Sequence, residues 1–93
     1  GGDEAKLFYI ISDNPNAIAD RIMKEIDITV TFLKGRGAYS GREKQVILCV
    51  ARKQQGPSIE EIVKSEDRDA FMIISSANEI YGEGYKNIMS DKL

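Results

Sequence analysis

The chain has 93 residues and a formal net charge of −2. A single domain of this size removes only about two thirds of its unfolded surface from water, so membership of an assembly would help it. The acidic balance argues against nucleic acid as a partner, because such binding depends on Lys and Arg neutralising phosphates. There is no histidine and only one cysteine, Cys49. The commonest general base is therefore missing, and so are an internal disulfide and a cysteine-built zinc cage. No apolar run is long enough to span a bilayer, and no secretory leader is recognisable.

Residues 1–5, opening on Gly1-Gly2, read as a tag remnant or a disordered start. A single domain is expected over residues 6–86, with a tail over 87–93. Lys6 to Ser12 predicts a strand, with Leu7, Tyr9 and Ile11 on one face and Phe8 and Ile10 on the other. Asp13 or Asn14 then caps a helix that opens on Pro15 and runs to about Asp27. Ile18, Ile22 and Ile26 form its inward stripe. Ile28 to Leu33 alternates as a half-buried strand rich in β-branched residues. A glycine-rich segment, Lys34 to Gly41, follows, and Ser40-Gly41 suits a tight hairpin turn.

Lys44 to Arg52 is apolar on both faces at its centre, which predicts an interior strand. Cys49 sits in this run and reads as an inert core residue. Ser58 and Glu61 have capping-box spacing and open a second helix with Ile59, Ile62 and Val63 inward. Ala70 to Ser76 is the last strand, with Ile80-Tyr81 as a potential continuation. Glu60, Glu61, Glu66, Asp67 and Asp69 read as a solvated helix face and its end.

The order strand, helix, strand, strand, helix, strand predicts an α+β fold. It is a two-layer ferredoxin-like βαββαβ sandwich, with an antiparallel sheet in the order 4-1-3-2 and both helices on one face. The Ser12–Asn16 turn, the glycine-rich hairpin and the Glu66–Asp69 turn then meet at one end. The other sheet face would be unusually apolar for a wet surface. A homo-oligomer, dimer or trimer, formed through that open face is the expected consequence; the alternative is that the tail after Tyr85 folds back over it.

Gly35-x-Gly37-x-x-x-Gly41 fails as a dinucleotide fingerprint, because the third glycine is one place late and a strand follows. It also fails as an RNA-recognition signature, since Arg36 stands where an aromatic is needed. Lys34, Arg36, Arg42 and Lys44 nevertheless gather around these glycines, which suits an anion, and Tyr39 could stack on a base. The candidate ligand site is Gly35, Arg36, Gly37, Tyr39 and Gly41, completed by Gly82, Glu83 and Gly84 of a neighbouring subunit. No catalytic residue, metal site or particular cofactor is indicated. A binding or assembly module is expected, rather than an enzyme.

Four segments carry a family resemblance: Thr31-Phe32-Leu33-Lys34-Gly35-Arg36-Gly37-Ala38-Tyr39-Ser40-Gly41, Val46-Ile47-Leu48-Cys49-Val50-Ala51-Arg52, Asp69-Ala70-Phe71 and Gly82-Glu83-Gly84-Tyr85. They resemble the small C-terminal domain of YitT-type bacterial membrane proteins, with Ser40 where threonine is more usual. The resemblance implies a preceding N-terminal membrane region in a parent protein. It also implies that this chain is a soluble part from the cytoplasmic side of the bacterial cell membrane. The topology is similar to PII-like signalling proteins, which form trimers and bind nucleotides between subunits near the base of the hairpin joining strands two and three. No PII residue carries over.

Overall fold

The computed structural model describes residues 4–77 and 79–82. Strand β1 spans Ala5–Ile11 and helix α1 spans Pro15–Arg21, continued by a π-helical turn over Ile22–Ile26. Strand β2 (Thr31–Arg36) and strand β3 (Glu43–Arg52) form a hairpin. A short 3-10 turn, Lys53–Gln55, leads into helix α2 (Gly56–Glu66), and strand β4 is Phe71–Ser76. The sheet order is β2-β3-β1-β4 with every pair antiparallel. This is the expected ferredoxin-like α+β sandwich, read from the opposite edge.

Pairing fixes which residues share a face. Phe8 and Ile10 lie opposite Cys49 and Ile47 on one side and Ile74 and Met72 on the other. Phe8, Ile10, Ile47, Cys49 and Ala51 are buried with Ile18, Ile22, Ile59, Ile62 and Val63. The core therefore lies between this face and the two helices, as the strand alternation and the isoleucine stripe of α1 require.

Three local expectations are corrected. The second strand begins at Thr31 rather than Ile28. Asp27 adopts a left-handed conformation, φ 65°, which redirects the chain after the π-helical turn. Ile28 is buried and Val30 packs on the core before pairing starts, so the alternation reports burial and not a ladder. The second helix begins at Gly56, which places Ser58 inside its first turn with no side-chain cap. Gln55 instead closes the preceding turn, its side-chain oxygen accepting from the Arg52 amide at 2.8 Å. Ile80 and Tyr81 lie outside any strand.

The second sheet face carries Leu7, Tyr9 and Ile11 of β1, Val46, Leu48 and Val50 of β3, Leu33 of β2, and Phe71 and Ile73 of β4, as the register dictates. No element of the described residues covers it. Phe71 and Ile73 are 54% and 50% exposed.

Candidate functional site

The β2–β3 hairpin is longer than the predicted tight turn. Arg36 pairs with Glu43, which leaves residues 37–42 as the loop. The Gly37 amide donates to the Arg42 carbonyl and the Gly41 amide to the Gly37 carbonyl, both at 2.8 Å. Ser40 Oγ accepts from the Arg42 amide at 3.1 Å. Gly41 has φ +73°, a conformation that favours glycine. A Cβ on Gly37 would sit 2.7 Å from Ser40 Oγ, so the loop closes tightly there. Gly35 differs: it lies within β2, and a Cβ there would meet Val46 at an ordinary 3.8 Å.

Beside the base of this hairpin lies an open cleft of about 950 Å³. One wall is the turn after β1, with Ser12, Asp13, Pro15 and Asn16. The other is the hairpin arm, with Lys34, Gly35, Arg36, Arg42, Glu43, Lys44 and Gln45. Four cationic residues thus line one concavity with two carboxylates, Asp13 and Glu43. Asp13 Oδ1 lies 3.5 Å from Arg42 Nη2 and 3.8 Å from Lys44 Nζ. Among the described residues, Lys34 and Arg36 have no ion-pair partner.

The first wall is held from below by Asp67. Its Oδ2 accepts from Ser12 Oγ at 2.6 Å and from the Asp13 amide at 3.0 Å. Its Oδ1 accepts from the Asp69 amide at 3.0 Å. The Ser12 hydroxyl, with these amides next, holds the Asp67 carboxyl below the usual aspartate range. Ser12 Oγ also accepts from the Asn14 amide at 2.8 Å, so one buried hydroxyl spans both partners. Arg21 braces α1 to α2 through Glu66 at 3.1 Å and Ser65 at 2.6 Å. Asp67 was expected to be a solvated helix end; it is the structural tie of this end of the fold.

The expected site residues are only partly gathered. Gly35 and Arg36 line the cleft. Gly37 and Gly41 frame the loop beyond it, and Tyr39 stands fully exposed at the tip. Gly82 follows β4, whose last residue, Ser76, accepts from Lys6 Nζ at 3.0 Å, at the sheet end away from the hairpin. Glu83 and Gly84 lie outside the described residues, as do Tyr85 and the expected tail over 87–93. Asp13, Asn16 and Gln45 join the cleft although no motif in the sequence marks them. Cys49 is buried and burial pushes its thiol up to about 12, so it is a core residue.

The fold and cleft define a class: a ferredoxin-like α+β domain of PII-like topology. The Arabidopsis thaliana PII protein in its citrate-bound crystal structure superposes with a TM-score of 0.63 at 15% identity, covering 94% of this chain and 93% of that one. The sequence goes further. Residues 28–82 match the family described as "uncharacterized protein conserved in bacteria (DUF2179)", and the chain belongs to that family. A crystal structure of a DUF2179 protein from Eubacterium ventriosum has a TM-score of 0.70 and 42% identity, covering 78% of this chain and all of that one. The membrane protein YxkD of Bacillus subtilis is 33% identical over 95% of this chain. The chain spans about a third of that relative's length (32%). The expected kinship with a domain of bacterial membrane proteins is thereby borne out. No helix among the described residues is long and apolar enough to cross a membrane.

Proposed function

We propose that this chain is a non-catalytic ligand-sensing domain of a membrane protein. It acts on the cytoplasmic side and binds an anionic small molecule or nucleotide at the base of the β2–β3 hairpin. The observation that carries the reading is the gathering of Lys34, Arg36, Arg42 and Lys44 on one cleft of an acidic protein. Its four cations outnumber its two carboxylates, an excess that favours an added anion, and arginine holds phosphate or carboxylate through two parallel hydrogen bonds. Tyr39, exposed at the hairpin tip, is available to stack on a base or to reach a neighbouring copy.

The test is a thermal-shift screen of the domain against ATP, ADP, pyrophosphate, cyclic dinucleotides and citrate. A ligand at 100 times its dissociation constant adds about 2.7 kcal/mol, which in a domain this small raises the midpoint by roughly 10 °C or more. Loss of that shift in Arg36→Ala identifies the cleft. Equal shifts in wild type and Arg36→Ala place the ligand elsewhere, and no shift with any class removes the reading.

A second reading rests on a different observation, the uncovered apolar face built by Leu7, Tyr9, Val46, Leu48 and Ile73. In it the domain assembles the parent protein as a dimer or trimer through this face and takes no ligand. Faces of this kind mark interfaces. The same screen separates the two, because assembly alone gives a concentration-dependent midpoint and no ligand shift.

A further inference from the structure

Asp13 is the one cleft carboxylate already engaged with cleft cations, and its geometry is unusual in being fixed at one end and free at the other. Its backbone amide is held by Asp67 at 3.0 Å. Its side chain is 76% exposed and, among the described residues, pairs with Arg42, at 3.5 Å, and Lys44, at 3.8 Å. Both contacts are longer than a well-formed charge-assisted hydrogen bond. Rotation about the Asp13 side chain would release both cations without moving the backbone. Glu43, the other carboxylate of the cleft, makes no ion pair among the described residues.

We propose that Asp13 is a built-in competitor, an intramolecular anion that occupies Arg42 and Lys44 until a ligand's anionic group displaces it. The inference rests on the anion-binding reading of the cleft and assigns a residue that sets its affinity. A ligand with one negative group would meet Lys34 and Arg36, which have no ion-pair partner among the described residues, and leave Asp13 in place. A ligand with two adjacent groups, such as a pyrophosphate moiety or a dicarboxylate, must also take Arg42 and Lys44 and so expel Asp13. Asp13 thereby weakens the binding of multiply charged ligands.

The experiment is calorimetric titration of the 93-residue chain with inorganic pyrophosphate, comparing wild type, Asp13→Asn, Asp13→Ala and Glu60→Gln. Glu60 lies on the exposed face of α2, paired with Lys64 at 3.2 Å, and changes net charge by the same amount outside the cleft. Two exposed ion pairs together oppose binding by an amount equivalent to about fivefold in affinity. Pyrophosphate should therefore bind Asp13→Asn and Asp13→Ala about fivefold more tightly, with Glu60→Gln unchanged. Wild type that binds while both Asp13 variants bind equally or more weakly overturns the competitor role and leaves the anion site standing. Equal tightening in Glu60→Gln also overturns it, since net charge alone would then explain the gain. No binding by any form overturns both.

Discussion

Ser12 Oγ donates to Asp67 Oδ2 at 2.6 Å, joining the turn after β1 to the turn after α2 across more than half the length of the chain. The same carboxylate accepts from the Asp13 and Asp69 amides, so three donors converge on one charge. The cleft wall at Asp13 owes its position to this tie.

Stability at low pH should follow from it. The folded-state pKa of Asp67 is depressed, so its contribution is fully present above the unfolded value, near 3.8, and is lost as pH falls through the lower folded value. The melting midpoint of the wild type should fall as the pH drops below about 4. Asp67→Asn should melt lower than wild type at neutral pH, and the gap should narrow on acidification. Circular dichroism melts from pH 7 to pH 2 measure both; parallel curves would remove Asp67 as the acid-sensitive tie.

The glycines of the hairpin should separate by substitution. Gly41→Ala forces a side chain into φ +73° and should cost about 1–2 kcal/mol. Gly35→Ala meets only an ordinary contact with Val46 and should leave stability within about 0.5 kcal/mol of wild type. Urea denaturation of the two variants distinguishes them. If Gly35→Ala abolishes anion binding while remaining stable, the backbone at Gly35 touches the ligand.

Cys49 should be silent to thiol reagents while the chain is folded. Burial raises its pKa to about 12, which leaves almost no thiolate at pH 8. Reaction with an aromatic disulfide should proceed only at the rate of unfolding and become complete in denaturant. Cys49→Ser places a hydroxyl in the apolar core and should cost about 1–3 kcal/mol. Fast labelling of the native chain would contradict the burial of this strand.

The open sheet face should drive self-association. Ile73 is half exposed at its edge, so Ile73→Glu should fold normally and weaken association at least tenfold. Sedimentation velocity over a hundredfold concentration range reads this out. A wild-type chain that stays monomeric throughout would sink the assembly reading.

Much of the architecture is legible in the residues. The alternation of Phe8 and Ile10 against Leu7 and Tyr9 assigns β1, and the spacing of Ile18 and Ile22 assigns the buried stripe of α1. Both patterns reflect periodicities that local geometry imposes. Local chemistry misled where two structures fit one pattern. Ile28 and Val30 alternate like a strand yet only pack on the core, because Asp27 turns the chain first. Ser58 has capping spacing, but α2 starts two residues earlier.

The candidate site divides along the same line. The sequence by itself marks the hairpin, since the glycines and the cations around them are contiguous from Lys34 to Lys44. It also determines the apolar second face, because period-two alternation exposes every other residue of each strand. Only the tertiary structure places Asp13 against Arg42 and Lys44, and only it turns Asp67 from a surface charge into a tie. Those relationships join residues about 30 and 55 positions apart in the chain. Such pairings arise from strand register and layer packing, which no local periodicity encodes.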